Sequence, residues 1–317
     1  MITEEKVSAK GGTFMSTGFL FPGQGSQTLG MLKDVPTEYI DSIENVTGFR
    51  LVDEESSYQD TVFIQLALLT KAAYYLDEMK ERGIKPDLVA GHSIGAFSAA
   101  VACGALSFEN AAELVYHRAN LMKTSYPSGY AMGVIVGLTR SEAEKVVAET
   151  FDPNEPVYLS NENCPLQHTI SGSITGLEKT LAAAKTQQAR TAKLLKVPVP
   201  SHCVLMNDTV EKFKPYMDTV SVKDADCLYL KNIDGRATKD AEEIRKDLLE
   251  NLAFPVQWNQ MMGIAHELGM DLTIEFPPGN TLTKLIHARF GVDQGIRTLN
   301  LDQHGVDDTT FLYQKWR

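Results

Sequence analysis

The sequence predicts an α/β protein with a parallel sheet and one smaller inserted subdomain, and three observations support this prediction. Short apolar stretches that read as strands alternate with helical patterns along most of the chain. A Gly-x-Ser-x-Gly turn at residues 91–95 joins one such strand to a helix that ends in glycine. Residues 130–197 instead follow the order β-α-β-β-α-β of a ferredoxin-like module, and the alternating pattern resumes after them.

The predicted units follow from this change of pattern. They are a disordered extension of residues 1–16, a large domain of residues 17–129 and 198–301, an inserted subdomain of residues 130–197, and a tail of residues 302–317. The extension contains Glu4 and Glu5 and lacks an apolar core, so it does not read as a signal peptide. Within the insert, Thr139 and Glu142 form a capping-box pattern, which predicts the start of a helix.

The composition argues against several classes of protein. The 317 residues are 43% hydrophobic and 22% charged, which is ordinary for a globular protein. The formal charge of −11 argues against a broad nucleic-acid surface. No apolar run approaches the roughly 18 residues that a membrane span needs. The four cysteines are far apart and form no C-x-x-C pair, so we predict a cytoplasmic protein without a disulfide framework or a metal site.

Ser93 is the candidate nucleophile, at the centre of the turn Gly91-His92-Ser93-Ile94-Gly95. Such a turn between strand and helix is sharp, so the serine side chain projects clear of the backbone. Gly91 and Gly95 have no Cβ, which lets the strand and the helix approach closely. The helix N-terminus adds N–H groups and a partial positive charge, which suit an oxyanion. The alternative is an ordinary Gly-Ser turn, and the order of strand, turn and helix favours the nucleophile.

His202 is the candidate general base. Residues 197–200 are extended and proline-rich, and Ser201 is a plausible N-cap, so we predict that His202 lies in the first turn of a helix. The helix dipole at that place lowers the pKa of an imidazole and keeps it neutral, as a general base requires. The alternative is a structural or surface histidine. His92 is too close to Ser93 to be the natural choice, and the other competing histidines are His117, His168, His266, His287 and His304.

Arg118 and Gln65 are polar residues on faces that are otherwise apolar. Arg118 falls on the apolar stripe of a helix that begins after Ser107. A buried guanidinium is costly unless it is paired, so its partner is either a protein carboxylate or a substrate anion. Gln65 lies in a helix predicted for residues 61–82, where it is either a core amide or a residue of a site. The loop of residues 22–27 is either an ordinary turn or a source of backbone N–H groups at the carboxyl edge of the sheet.

Six features of the chain stand in an order known from one family. They are Phe21-Pro22-Gly23-Gln24-Gly25-Ser26-Gln27, Gly91-His92-Ser93-Ile94-Gly95, Arg118, Val199-Pro200-Ser201-His202-Cys203, Asn232 and Pro255-Val256-Gln257-Trp258. Together they resemble the malonyl-CoA:acyl carrier protein transacylases, over about residues 17–290. Each motif alone is modest, whereas all six in register are specific.

The resemblance implies an α/β-hydrolase-like large domain, the ferredoxin-like insert and a cleft between them. It implies that Ser93 accepts the acyl group, that His202 is the base and that a backbone carbonyl of Gln257 orients His202. It further implies that Arg118 binds the malonyl carboxylate and that the N–H groups of Gln24 and Ile94 form the oxyanion hole. We add three candidate substrate-binding residues, which are Gln65, Asn161 and Asn163. The expected substrates are malonyl-CoA and a carrier-bound phosphopantetheine-type thiol, with no further cofactor.

The chain departs from the fatty-acid-synthesis members of the family at the elbow. Those members usually have Glu-Tyr after the second glycine, where this chain has Ala96-Phe97. Residues 125–132 and 276–279 also look different. These features are similar to the malonate decarboxylase epsilon subunit, which loads the carrier subunit of that enzyme. The interpretation drawn from them favours a malonate decarboxylase carrier over the carrier of fatty-acid or polyketide synthesis.

Two alternatives to a transacylase remain open on the sequence alone. A serine hydrolase or thioesterase has the same elbow, but its histidine comes near the C-terminus, and Arg118 has no role in simple ester hydrolysis. A non-catalytic carrier-binding subunit would not need Ser93, His202 and Arg118 together. Carrier proteins are usually acidic, so a transacylase is expected to present a basic patch to its carrier despite its acidic total charge. The alternative is that a run of basic residues is only a solvated face of the protein. The candidate patch comprises Lys185, Arg190, Lys193 and Lys196.

Overall fold

Two sheets form the framework of the computed structural model, which describes residues 16–126, 128–292 and 295–316. The extension predicted for residues 1–16 lies outside these ranges except for its last residue. The strands of the large sheet are β1 (Ser16–Phe21), β2 (Leu88–Gly91), β7 (Leu228–Leu230), β8 (Ala237–Thr238), β9 (Met270–Glu275) and β10 (Arg297–Asn300). Those of the small sheet are β3 (Tyr130–Val136), β4 (Val157–Cys164), β5 (Gln167–Ser173) and β6 (Thr191–Leu194).

The large sheet has the order β10-β9-β1-β2-β7-β8, and every pair is parallel except β7 with β8. Its central strands are apolar almost throughout because helices cover both faces of a parallel sheet. β2 pairs with β1 in a register that sets Gly91 opposite Phe21. The elbow therefore leaves the sheet at its carboxyl edge, where ligands bind in folds of this kind.

Helices flank this sheet and the insert. They are α1 (Thr37–Thr47), α2 (Thr61–Glu81), α3 (Gly95–Ala102), α4 (Phe108–Ser125), α5 (Arg140–Thr150), α6 (Ile174–Thr186), α7 (Asn207–Thr219), α8 (Ala241–Glu250), α9 (Trp258–Glu267), α10 (Thr281–Phe290) and α11 (Leu301–Trp316). The Ser107 side chain caps α4 by accepting the N–H of Asn110 at 3.1 Å, as its position in the sequence predicts. No helix within the described ranges is long and apolar enough to cross a membrane.

The insert is a four-stranded antiparallel sheet of order β4-β5-β3-β6, with α5 and α6 on one face. Its element order is the predicted β-α-β-β-α-β, and the Thr139–Glu142 capping box is present. Its own apolar core includes Ile135 and Ile170. The other face of its sheet lines a cleft against the large domain. The α/β fold class with a ferredoxin-like insert is confirmed.

The insert is tied to the large domain by backbone hydrogen bonds from β4. The N–H of Glu162 donates to the carbonyl of Val256 at 2.9 Å, and the N–H of Val256 donates to the carbonyl of Ser160 at 2.9 Å. This pairing continues the small sheet by one residue of the large domain. It therefore holds the two walls of the cleft together at one end.

The C-terminal residues differ from the sequence prediction. Residues 302–317 were predicted as a tail, but residues 301–316 form α11, which bends at Gly305 and contacts β10 and α2. The aromatic ring of Tyr313 is buried in the main core. The sequence pattern of this segment is obscured because the glycine interrupts its helical period.

Candidate active site

The elbow is strained at the serine. The backbone φ of Ser93 is 56°, in the left-handed region that residues other than glycine rarely adopt. Such strained residues are often found at functional sites. A Cβ on Gly91 would lie 2.0 Å from the carbonyl carbon of Gly95, and one on Gly95 would lie 2.2 Å from the carbonyl oxygen of Phe21. Both glycines are therefore required for the close approach of strand and helix.

Asn232 holds this strained turn from the end of β7. Its side-chain oxygen accepts the N–H of Ser93 at 3.0 Å, and its side-chain amide donates to the carbonyl of Gly91 at 2.9 Å. The residue is completely buried. Because both bonds go to backbone groups of the elbow, at Gly91 and at Ser93 itself, Asn232 stabilises the conformation that projects the serine oxygen.

His202 faces the serine. Its Nε2 lies 2.7 Å from Ser93 Oγ, across 109 residues of sequence. Its Nδ1 donates to the backbone carbonyl of Asn251 at 2.5 Å, which leaves Nε2 as the acceptor nitrogen. Its own N–H donates to the carbonyl of Leu252 at 2.7 Å, and its φ is 65°. The structure thus brings the predicted nucleophile and base together, with a carbonyl rather than a carboxylate as the third group.

Two predictions about His202 are wrong. Gln257 does not orient it; the N–H of Gln257 instead donates to the carbonyl of Asn232 at 2.8 Å, and Asn251 provides the carbonyl that His202 uses. Nor does Ser201 begin a helix that contains His202. A 3-10 turn begins only at Val204 and α7 at Asn207, so a helix dipole does not act on the imidazole. Burial and the nearby Arg118 guanidinium lower the pKa of His202 to about 3.

Arg118 is fully buried beside the nucleophile. Its Nη1 donates to Gln65 Oε1 at 2.7 Å, and its Nη2 lies 3.4 Å from both Ser93 Oγ and Asn251 Oδ1. No carboxylate pairs with it among the described residues, and its Nε has no partner there. Burial lowers its pKa to about 9. The sequence left two partners open for Arg118, and the alternative of a protein carboxylate is therefore wrong. An anionic ligand would offset the free-energy cost of desolvating the guanidinium.

Gln65 is both a buried amide and a residue of the site. It is 1% exposed, and its Nε2 lies 3.3 Å from Gln24 Oε1 and 3.5 Å from Met122 Sδ. It thus connects Arg118 to the loop that carries Gln24. Met122, one helical turn after Arg118, also contacts the guanidinium at 3.3 Å. Nothing in the sequence singled out Met122 beyond its place on an apolar stripe.

The cleft beside these residues has a volume of about 420 Å³. Its walls come from the elbow, the loop after β1, the start of α10 and the open face of the small sheet; they include Gln24, Gln65, Ser93, Asn161, Asn163, Lys193 and His202. The amide oxygen of Asn161 is buried and has no hydrogen-bond partner in the part of the chain that the structure describes, and that of Asn163 lies 2.9 Å from His92 Nε2. A larger cavity, of about 840 Å³, touches neither Ser93 nor His202.

Two backbone N–H groups near the serine are available as donors. Those of Gln24 and Ile94 donate to no protein acceptor within the described ranges. Gln24 lines the cleft, and Ile94 directly follows the nucleophile. Their assignment as an oxyanion hole stays a prediction, and so does the assignment of Asn161 and Asn163 as substrate-binding residues.

A nucleophilic serine on a strand-to-helix elbow, opposite a histidine oriented by a carbonyl, defines an enzyme of acyl transfer. Residues 18–302 match the family model described as acyl transferase domain. The malonyl CoA-acyl carrier protein transacylase of Bacillus subtilis is 35% identical over 280 residues, which cover 84% of this chain and 88% of the relative. That of Haemophilus influenzae is 33% identical, over 87% of this chain and 93% of the relative.

Solved structures agree with these matches. The Coxiella burnetii malonyl CoA-acyl carrier protein transacylase has a TM-score of 0.87 at 31% identity, with 95% of this chain and 97% of that one covered. A malonyl-transacylase solved with a type II polyketide acyl-carrier protein has a TM-score of 0.85 at 30% identity, with 92% and 99% covered. The chain belongs to the malonyl CoA-acyl carrier protein transacylase family.

Proposed function

We propose that the protein moves a malonyl group from malonyl-CoA to the phosphopantetheine thiol of an acyl carrier protein. The observation that carries this proposal is the Arg118 guanidinium, which is buried with no carboxylate partner among the described residues and lies 3.4 Å from the nucleophilic oxygen. An acyl group with a free carboxylate at its far end would pair with it while its thioester faces Ser93. The names of the relatives support the same substrates.

In the first half-reaction, Ser93 Oγ attacks the thioester carbonyl while His202 Nε2 takes the hydroxyl proton. The N–H groups of Gln24 and Ile94 hold the developing oxyanion, each donor contributing about 3–4 kcal/mol. The C–S bond then breaks, and the CoA sulfur leaves with the proton from His202. Malonyl-Ser93 remains, with its carboxylate on Arg118.

In the second half-reaction, the carrier thiol takes the place of CoA. His202 accepts the thiol proton as the sulfur attacks the ester carbonyl of malonyl-Ser93. The same N–H groups hold the second oxyanion. The C–O bond then breaks, and Ser93 regains its proton from His202. Because the two half-reactions together return Ser93 and His202 to their starting state, the proposed mechanism needs no further cofactor.

The favoured carrier is that of fatty-acid or polyketide synthesis. The relatives reported above are transacylases of acyl carrier proteins, and one was solved with a polyketide carrier. The malonate decarboxylase interpretation depends in part on Ala96 and Phe97, and both are completely buried in α3. The Phe97 ring lies 5.9 Å from the Arg118 guanidinium, so it packs against the site and has no surface to offer a carrier. Transfer to purified carriers of both kinds would separate the two.

The direct test is transfer to a holo carrier, followed by the mass of the carrier. The wild-type protein with malonyl-CoA should add one malonyl group to the carrier, and Ser93→Ala should add none, because the acyl-enzyme cannot form. Steady release of CoA that is independent of the carrier, with no malonyl-carrier formed, would instead indicate the hydrolase.

Charge reversal in the basic patch is expected to weaken the carrier half-reaction alone. Lys185, Arg190, Lys193 and Lys196 are all exposed, and Lys193 also lines the cleft. Arg190→Glu with Lys196→Glu, two exposed residues that do not line the cleft, should slow transfer to an acidic carrier by about tenfold at low salt, with less effect at high salt. Formation of malonyl-Ser93 should keep its wild-type rate.

A matched control carries the same change of charge on the outer helices of the insert. Lys145→Glu in α5 with Lys179→Glu in α6 changes two exposed side chains on the face opposite the cleft. Each takes part in a surface ion pair, which contributes little to stability. If this control slows transfer as much as the patch variant does, total charge rather than a docking patch is responsible.

A further inference from the structure

Asp247 is a completely buried carboxylate that the catalytic steps do not use. It lies in α8, and no cation pairs with it among the described residues. Its Oδ2 accepts the hydroxyl of Tyr229 at 2.7 Å, and its Oδ1 accepts the N–H of Ile233 at 3.0 Å. An unpaired buried carboxylate is costly, so its presence calls for a physical reason.

Its side chain holds the loop that supports the nucleophile. Ile233 directly follows Asn232, whose side chain bonds to the backbone of the elbow at Gly91 and Ser93. Tyr229 lies in β7, three residues before Asn232. The Asp247 carboxylate therefore binds the chain before and after Asn232 and fixes where that amide meets the elbow.

Its backbone holds the segment that supports the base. The N–H of Asn251 donates to the carbonyl of Asp247 at 3.0 Å, at the end of α8. The carbonyl of Asn251 in turn accepts Nδ1 of His202 at 2.5 Å. Asp247 thus contacts both segments on which the separation of Ser93 and His202 depends.

We propose that Asp247 is a positioning residue that fixes the loop of Asn232 relative to Asn251 and so keeps Ser93 and His202 at reacting distance. It touches neither substrate nor reacting atoms and acts through those two asparagines. The inference rests on the proposed function, because its effect is measured on the acylation of Ser93. A displacement of about 1 Å between reacting groups lowers a rate by up to about 100-fold.

The ionised form of Asp247 is the one that holds the loop of Asn232, because both of its oxygens accept hydrogen bonds. Burial raises the pKa of Asp247 to about 6; the groups that face it are Tyr229 in β7, Asp234 in the following loop and, beyond Tyr229, Cys103 after α3. Protonation turns one acceptor oxygen into a donor where Tyr229 and Ile233 need acceptors. The pKa of His202, about 3, keeps the base neutral throughout this range. Acylation should therefore slow as the pH falls through about 6.

The stability effect has the opposite sign. Because the folded pKa is raised above the ordinary 3.8, the folded state binds the proton more tightly than the unfolded state. This group therefore stabilises the fold at low pH, and its contribution is lost as the pH rises through about 6. At neutral pH the ionised carboxylate is therefore less favourable to the folded state than the protonated acid would be.

The test compares wild-type protein with Asp247→Asn in single-turnover malonylation of Ser93, on both sides of pH 6. We expect Asp247→Asn to acylate about tenfold more slowly at neutral pH, with KM for malonyl-CoA changed less than twofold. Its rate should no longer fall through pH 6, because the amide does not titrate. Asp247→Leu, which removes both acceptors, should be slower still if it folds.

Met79→Ala is the control for general destabilisation. Met79 is buried in α2 far along the chain from these contacts, and its truncation should lower the unfolding temperature without changing acylation. The inference is overturned if Asp247→Asn acylates at the wild-type rate, or retains the wild-type fall through pH 6. An unacylated wild-type protein would instead contradict the proposed function itself, so the two failures are distinct.

Discussion

Replacing His202 with alanine should lower the rate of Ser93 acylation by about 10²- to 10⁴-fold, the usual contribution of a positioned general base. The reason is the 2.7 Å contact between His202 Nε2 and Ser93 Oγ, since no other base contacts this oxygen among the described residues. The only other group described at its oxygen is the Arg118 guanidinium, which cannot accept a proton. The rate is measured by acid quench and intact-protein mass.

His287→Ala is a suitable control for this loss. That histidine lies in α10, where its Nε2 is 3.0 Å from the hydroxyl of Thr298 and does not touch the serine. Its removal should leave acylation close to the wild-type rate. Equal losses in both variants, or a His202→Ala protein that acylates normally, would show that the base is another group.

Replacing Arg118 with methionine should change the choice of acyl group. Methionine nearly fills the same volume without the charge, so the buried site loses the partner of the malonyl carboxylate. We expect kcat/KM for malonyl-CoA to fall by about 10- to 100-fold, which corresponds to a charge-assisted hydrogen bond of roughly 1.5–3 kcal/mol. The same constant for acetyl-CoA, which has no carboxylate, should hardly change.

Arg118→Lys separates charge from geometry. Lysine retains the positive charge but lacks the planar fork that binds a carboxylate through two bonds, so its discrimination should fall between those of arginine and methionine. Competition between malonyl-CoA and acetyl-CoA in one reaction measures the ratio directly. If Arg118→Met lowers both constants equally, the guanidinium supports the fold or Ser93 rather than the substrate.

Local sequence patterns predicted most of the framework, and they singled out the three residues that meet at the candidate site, which are Ser93, His202 and Arg118. Ser93 was predictable because the elbow needs glycines at fixed places, and the same spacing now explains the close contact of Gly95 with Phe21. The insert was predictable because its caps and strand order are local. Arg118 was predictable as an anomaly, since a guanidinium on an apolar stripe needs a partner, and no carboxylate among the described residues pairs with it.

The features that the sequence did not predict share a physical cause. They depend on backbone groups, tertiary contacts or burial, which the pattern of side-chain types does not reveal. Asn251 orients His202 through a backbone carbonyl, which any residue can offer, so no residue type could reveal it. The loop at His202 has a positive φ that is imposed by tertiary contacts, including the bond from its N–H to Leu252. Asp247 reads as one more acid on a charged helix until its burial is known.

Detection of the acyl-enzyme is the most direct evidence that Ser93 carries the malonyl group between the two thiols. Purified protein is mixed with malonyl-CoA, quenched in acid, weighed intact and digested to locate the added group. We expect a gain of one malonyl group on Ser93 in the wild-type protein, which disappears when a holo carrier is added, and no gain in Ser93→Ala. An adduct that persists in Ser93→Ala, or release of CoA with no adduct at all, would contradict this expectation.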